Sequence, residues 1–167
     1  RPISTAANAL YARTLIDLGR LYGEPEWSEN GAEIRRILRK ALCGSDEKPK
    51  DPSGFFPDAL EFRDGKLHRC GNYSESAQYT ILWSGLFGRE ELPEYFWRVI
   101  HTSGPAREYP GDNKLGAATL FIGLCIRLDM LAQLGEYEIM FKELKAIYYP
   151  QLREGPGTLW EVTDMAN

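Results

Sequence analysis

The residues best suited to chemistry lie near the end of the chain, where Trp160 and Glu161 are adjacent in the segment Glu154-Gly-Pro-Gly-Thr-Leu-Trp-Glu161. Glycine and proline fix a tight, non-helical backbone there. An indole ring can cover the apolar face of a pyranose, and a carboxylate beside it can accept a proton from water. The pair is therefore a candidate carbohydrate site. The alternative is a loop with a packed tryptophan and a solvated glutamate.

A second group of polar and aromatic residues precedes two predicted helices. Tyr73 and Glu75 lie before the third helix, and Tyr109 lies before the fifth, together with the charged residues Arg107, Glu108 and Asp112. Aromatic rings with carboxylates favour a sugar pocket, so we predict that Tyr73, Glu75 and Tyr109 bind substrate. Each has a structural alternative: a helix staple for Tyr73, a capping-box partner for Glu75 and a turn anchor for Tyr109.

Composition excludes several other kinds of site. Twenty basic and twenty-four acidic side chains are scattered along 167 residues, which gives a net charge of −4 and no basic track for nucleic acid. The three cysteines and two histidines have neither disulfide nor metal-ligand spacing; they are Cys43, Cys70, Cys125, His68 and His101. We therefore expect no metal and no cofactor, and we treat residues 1–167 as one domain.

Apolar periodicity and helix-end residues predict six helices. They run from Ser4 to Tyr22, from Pro25, from Tyr73 to Phe87, from Pro93, from Leu115 to Leu134, and after Gly135 to about residue 149. In the first helix the pattern predicts a buried face of large side chains, namely Leu10, Tyr11, Leu15, Leu18, Leu21 and Tyr22. For the third helix, Asn72 and Glu75 resemble a capping pair. The apolar run in the fifth contains Arg127 and Asp129, which favours a buried helix over a membrane span.

The lengths of the connections predict how these helices pair. Within each successive pair the link is two residues, whereas the pairs are separated by long segments. Short links join antiparallel neighbours, so we predict three αα-hairpins whose long connections all emerge at one end. The first long connection contains a predicted β-hairpin insertion, about residues 55–70, with its turn at Asp64-Gly65. The first helix of each pair is the less charged one, which predicts inner and outer layers.

The fold class predicted from these patterns is all-α: αα-hairpins forming half of an (α/α)6 toroid, with a small β-hairpin insertion. A short open solenoid is the alternative.

Three segments resemble family 78 of the glycoside hydrolases, the α-L-rhamnosidases and their relatives. They are Tyr73-Ser-Glu-Ser-Ala-Gln-Tyr79, the helix with Phe121-Ile-Gly and Arg127-Leu that precedes Gly135-Glu-Tyr137, and the closing Gly-Pro-Gly-Thr-Leu-Trp-Glu161. The resemblance extends over nearly the whole chain, in order, and the last motif is its most specific part. Because the chain opens on Arg1-Pro2 without an initiator methionine, we expect it to be part of a longer polypeptide.

The resemblance implies an (α/α)6 barrel and an inverting hydrolysis of terminal α-L-rhamnosides or a related sugar. It implies that Glu161 is the general base and that Trp160 lines the sugar subsite. The family's general acid lies in an upstream motif that no segment here matches, so the chain alone is expected to be inactive. Its partners would be a carbohydrate and the remainder of its own catalytic domain, and the resemblance favours a periplasmic or secreted protein. Alternatives are a non-catalytic helical scaffold or carbohydrate-binding module, and another six-hairpin glycosidase of the trehalase or glucoamylase kind.

Overall fold

A computed structural model describes residues 2–43, 54–70, 72–107, 115–119 and 122–154. These residues form a mainly helical protein with a small antiparallel sheet. The helices are α1 (Thr5–Tyr22), α2 (Pro25–Cys43), α3 (Glu75–Trp83), α4 (Pro93–Thr102), α5 (Ile122–Leu134) and α6 (Tyr137–Glu154). The strands are β1 (Pro2–Ser4), β2 (Ala59–Arg63), β3 (Lys66–Cys70), β4 (Tyr73–Ser74) and β5 (Leu115–Gly116).

The ends of α1 follow from local chemistry, as predicted. Ser4 is the N-cap, and its side chain accepts a hydrogen bond from the Ala7 amide at 3.2 Å. Gly23 ends the helix in the left-handed region at φ 70°, a conformation that costs other residues free energy. Pro25 then begins α2, where its missing N–H has no helical partner to lose.

The buried face of α1 differs from the predicted one. Its buried positions are small residues, including Ala9, Ala12 and Gly19, whereas Tyr11, Leu21 and Tyr22 are 55%, 73% and 67% exposed. Small residues let α2 approach closely: a Cβ added to Gly19 would lie 2.7 Å from the Ser28 amide nitrogen. Packing distance, rather than hydrophobicity, selects the buried face here. In α2, the large side chains of Trp27 and Ile37 are likewise 40% and 42% exposed.

The predicted β-hairpin insertion is confirmed. β2 pairs antiparallel with β3, and the turn uses positive φ at Asp64 and Gly65, as a two-residue hairpin turn requires. β1 adds a third strand that the sequence did not predict, in the order β1-β2-β3.

Two predicted helix starts and two predicted ends were wrong, and one of these ends is that of α3, which lies at Trp83 rather than Phe87. The N-cap of α3 is Ser74, which accepts a hydrogen bond from Ala77, and not Asn72. Tyr73–Ser74 is extended because it pairs with β5, and Leu115–Gly116 is a strand for the same reason, so α3 and α5 begin later than predicted. At the other end, α6 continues through Pro150 to Glu154, although proline normally interrupts a helix.

The helices on either side of the two short links, α1 with α2 and α5 with α6, pack as antiparallel neighbours, whereas residues 84–92 separate α3 from α4 and the predicted two-residue link between them was wrong. Arg127 of α5 and Glu143 of α6 form a salt bridge at nearly equal separations from the turn at Gly135. Likewise, Ser28 of α2 donates to the Ile16 carbonyl of α1. Antiparallel helices joined in this way are αα-hairpins.

The helices α1, α3 and α5 run parallel to each other. Arg13 of α1 donates to the Trp83 carbonyl at the end of α3, and Trp83 donates to Asp129 of α5. Their first turns are likewise brought together, as described below. α3 packs against α1, α4 and α5, and it is buried along most of its length. It therefore lies at the centre of the described fold.

Candidate functional site

The first turns of α1, α3 and α5 lie together with strands β4 and β5, and we call this region the N-terminal face. β4 and β5 pair in parallel, with Tyr73 opposite Leu115 and Ser74 opposite Gly116. β4 ends the first long connection and β5 lies in the second. Among the described residues, the prediction that the long connections meet at one end is therefore confirmed.

Asp58 ties the insertion and two helices together at this face. Its carboxylate oxygen Oδ1 accepts hydrogen bonds from the Ser74 amide at 2.8 Å and from the Ser74 hydroxyl at 2.9 Å. Its backbone carbonyl accepts from the Thr5 amide, and its amide donates to the Asn72 carbonyl, both at 2.9 Å. One residue thus fixes the starts of α1 and α3 relative to each other.

Glu75, a predicted substrate contact, is the first residue of α3 and is 1% exposed. Its Oε1 accepts from the Gly104 amide at 3.1 Å, and its Oε2 accepts from the Ala118 amide at 3.2 Å. Arg107 forms a salt bridge to Oε1 at 3.2 Å. A carboxylate at a helix N-terminus is also stabilised by the helix dipole. In this structure Glu75 holds both segments of the second long connection against α3.

Gly104 joins Glu75 to a second buried group. Its φ of +86° lies in the left-handed region, and its carbonyl accepts from Arg107 Nε at 2.9 Å. A Cβ at this position would lie 2.6 Å from both Arg127 Cζ and Glu143 Oε1. Only glycine combines this backbone conformation with this approach.

Arg127 and Glu143 form a fully buried ion pair, with both side chains 0% exposed. Arg127 Nε donates to both carboxylate oxygens, at 2.9 and 2.7 Å, and its NH2 donates to Oε1 at 2.7 Å. The remaining guanidinium bonds go to the carbonyls of Val99 and Ile100 and to the Ser103 hydroxyl. Arg127 therefore connects α5 and α6 to the C-terminal end of α4.

Burial dominates the electrostatics of this group. Burial raises the pKa of the Glu143 carboxyl above its usual value, and hydrogen bonds from Arg127 oppose that shift. Burial also raises the pKa of the Tyr79 hydroxyl. The Tyr79 ring lies 4.8 Å from the Arg127 guanidinium, a cation–π contact. Two carboxylates and two guanidiniums, counting Glu75 and Arg107, balance in charge within the cluster.

The other predicted site residues divide into two groups. Tyr73 is half-buried in β4 and packs against the main hydrophobic core. Tyr109, Trp160 and Glu161 lie outside the described residues. The described chain ends at Glu154, the last residue of α6.

Sequence reasoning missed the Arg127–Glu143 pair and the role of Asp58. A signal for the pair was present, because Arg127 interrupts an apolar run and Glu143 lies at a similar distance on the other side of Gly135. A charge in such a run requires a buried partner. Nothing in the sequence around Asp58 indicates that it contacts residues fifty positions away in α1.

Within the described ranges, no three or more His, Cys, Asp or Glu side chains are grouped so as to hold a metal ion. No helix in the same part of the chain is long and apolar enough to cross a membrane. Comparison of the sequence and structure with protein-family models, with curated proteins and with solved structures finds no match.

Proposed function

We propose that this chain forms three of the six hairpins of an (α/α)6 glycosidase barrel. In this proposal Glu161 is the general base of an inverting hydrolysis of terminal α-L-rhamnosides or a related sugar. Trp160 forms an apolar wall of the sugar subsite, and the general acid comes from another part of the same catalytic domain. Tyr73 and Tyr109 remain predicted substrate contacts, whereas Glu75, predicted as a third, is 1% exposed and its two carboxylate oxygens are bonded to backbone amides.

The observation that carries the proposal is the gathering of the helix starts at the N-terminal face. Parallel α1, α3 and α5 form one layer, and each is followed by a partner: α2 and α6 follow through two-residue links, and α4 follows α3 after residues 84–92. In such an arrangement the long connections form one rim, and functional residues concentrate on connections of this kind. The β4–β5 pair places two of these connections side by side.

The path of α6 supports the assignment of Glu161. Because α6 is antiparallel to α5, its last residue, Glu154, is at the end where α5 begins. Glu161 follows seven residues later. Seven residues span at most about 25 Å when fully extended. That length allows Glu161 to lie over the N-terminal face, but it is too short for the chain to run to the opposite end of a long helix and turn back.

Exposed apolar side chains on the two outermost hairpins support the proposal of further hairpins. On α6 they follow a helical spacing and include Tyr137, Phe141 and Leu152, which are 56%, 58% and 70% exposed. On α1 the exposed set is Tyr11, Leu21 and Tyr22. Contiguous apolar surface on a helix normally contacts another element. We propose that neighbouring hairpins of the same catalytic domain cover both faces.

Inversion requires two carboxyl groups about 6.5–9.5 Å apart, on opposite sides of the anomeric carbon, with room for a water molecule. Both oxygens of Glu75 accept backbone hydrogen bonds, so this residue is poorly suited to proton transfer and better suited to holding the rim. The chain therefore supplies one member of the catalytic pair, and we expect it to be inactive when isolated.

The test compares two glutamates that follow one another at this end of the molecule. In the polypeptide that carries this chain, Glu161→Gln should lower turnover of an aryl α-L-rhamnoside by about a hundredfold or more, the range expected for loss of a general base. Glu154→Gln, at the last residue of α6, is the matched control and should leave turnover unchanged. Near-normal turnover of Glu161→Gln would rule out the base assignment.

A non-catalytic scaffold or carbohydrate-binding module is the second candidate, because the described charged groups at the N-terminal face already bind each other. It predicts sugar binding without hydrolysis. Aryl glycosides of rhamnose, glucose, fucose and glucuronate, assayed together, separate this candidate from the proposal. Hydrolysis of a glucoside alone would favour a different six-hairpin glycosidase.

A further inference from the structure

A basic groove lies beside α2, away from the N-terminal face. It has a volume of about 550 Å³ and is open to solvent. Its walls come from α1, α2 and the connection between α3 and α4. The lining residues are, on α1 and α2, Ile16, Ala32, Arg35, Arg36, Arg39, Lys40 and Cys43, and on the connection, Phe87 and Glu91.

The charge of the lining is strongly positive. Among the described residues that line it, four cationic side chains face one carboxylate, Glu91, although the whole chain has a net charge of −4. Arg39 pairs with Glu91, and Arg36 pairs with Glu33 at the edge of the groove. Among the described residues, neither Arg35 nor Lys40 forms a salt bridge, although the charge of Glu91 acts favourably on Arg35 from a distance. The groove is therefore a local positive field in an acidic protein.

Interactions that stabilise the fold account for only part of this positive charge. Cations in the last turn of a helix interact favourably with its dipole, which accounts for Lys40. Arg35 lies in the middle of α2, and its NH2 group donates to the Gly85 carbonyl. A carbonyl satisfies an N–H donor but leaves the positive charge uncompensated.

The environment of Arg35 shows the same excess of positive charge. Burial lowers the pKa of the Arg35 guanidinium, and the like charge of Arg39 lowers it further. An anion in the groove would relieve this repulsion. Arginine forks also match the oxygens of a phosphate group.

We infer that this groove binds a small organic phosphate. Arg35, Arg36 and Lys40 contact the phosphate group, and the apolar body of the ligand lies against Ile16 and Ala32. Phe87, whose ring lies 5.1 Å from the Arg39 guanidinium, closes the apolar side. The groove is distinct from the charged cluster at the N-terminal face, because none of Glu75, Arg107, Arg127 and Glu143 lines it. The inference therefore does not depend on the proposed hydrolysis.

The experiment titrates the protein with phenyl phosphate, inorganic phosphate and phenol, with calorimetry or thermal shift as the readout. Phenyl phosphate should bind with a dissociation constant on the order of 0.1–1 mM, and it should bind more tightly than inorganic phosphate because the ring gains apolar contacts. Phenol should not bind measurably. Raising the salt concentration to about 0.5 M should weaken binding, because exposed charges are screened.

Two charge-matched double variants test the location. Arg36→Gln with Lys40→Gln removes two exposed groove cations and should weaken phenyl phosphate binding about tenfold. Arg63→Gln with Lys66→Gln removes an exposed arginine paired with a nearby glutamate, Glu61, and an exposed lysine, both on the β2–β3 hairpin. This control should bind normally. Equal losses in the two variants, no binding by about 10 mM, or inorganic phosphate binding as tightly as phenyl phosphate would overturn the inference.

Discussion

Replacing Arg127 with methionine tests whether the buried ion pair organises the three-hairpin core. Methionine keeps much of the volume of the side chain but removes the charge and all of its hydrogen bonds. Glu143 would then remain at 0% exposure without its partner, and the carbonyls of Val99 and Ile100 would each lose a donor. Breaking a buried pair in this way costs about 3–5 kcal/mol. That is a large part of the roughly 5–15 kcal/mol by which a domain of this kind is stable.

The assay is urea unfolding followed by circular dichroism, with the free energy of unfolding compared between variants. The double variant Arg127→Met with Glu143→Met removes both charges, so it should be at least about 1 kcal/mol more stable than Arg127→Met alone. Arg89→Met is the control. It breaks a salt bridge to Glu136 in which Arg89 is half exposed, and it should cost less than about 1 kcal/mol.

The reasoning would be refuted if Arg127→Met cost no more than Arg89→Met. It would also be refuted if removing both charges were as harmful as the sum of the two single changes. Either result would mean that water, and not Glu143, compensates Arg127.

Three further predictions concern the same core and its surroundings. Gly104→Ala should destabilise the protein by more than about 2 kcal/mol, because a Cβ there would lie 2.6 Å from Arg127 and Glu143. The control is Gly23→Ala, which has a similar φ of +70° but open space around it and should cost only about 1 kcal/mol in the same urea assay. Glu75→Gln should accelerate hydrogen exchange at whichever amide, that of Gly104 or Ala118, then faces the glutamine NH2 group, because Gln has only one carbonyl acceptor. Exchange at Ala77 should change little, and unchanged exchange at both Gly104 and Ala118 would contradict the role of Glu75 in holding the second connection. The hydrogen bond from Arg39 lowers the pKa of Glu91, so this group contributes stability above about pH 4.5 that is lost as the pH falls. Glu91→Gln should therefore reduce the loss of thermal stability between pH 7 and about pH 3.5. Glu143 has the opposite sign: its pKa is raised, so its contribution to stability is lost as the pH rises.

The elements that the sequence predicted well are those with local causes. Ser4, Gly23 and Pro25 fix the ends of α1 and α2 through their own backbone preferences, and Asp64-Gly65 fixes the hairpin turn. The pairing of α1 with α2 and of α5 with α6 followed from link length alone. These features require no knowledge of residues that are distant in the chain.

The errors have long-range causes. β4 and β5 displace the starts of α3 and α5 because two segments forty residues apart pair with each other. Three large apolar side chains of α1, Tyr11, Leu21 and Tyr22, are exposed because a close approach to α2 requires Ala12 and Gly19 at the contact. The sequence of a single helix predicts its apolar face, but it does not predict which neighbouring helix contacts that face or how closely.

The candidate site was predicted only in outline. The sequence placed Tyr73 and Glu75 before α3, and the structure brings that segment beside the connection that precedes α5. The hydrogen bonds of Glu75 could not be predicted, because the amides of Gly104 and Ala118 belong to a different hairpin connection. The prediction for Trp160 and Glu161 rests on their motif and on the direction in which α6 ends.

A crystal structure of the polypeptide that carries this chain, with L-rhamnose bound, tests the central claim most directly. The account predicts that the Glu161 carboxylate lies at the N-terminal face, on the same side as Glu75, and within about 3 Å of a water molecule next to the anomeric carbon. A Glu161 carboxylate packed against the outer surface of α6, or a sugar bound at the opposite end beside Gly135, would contradict it.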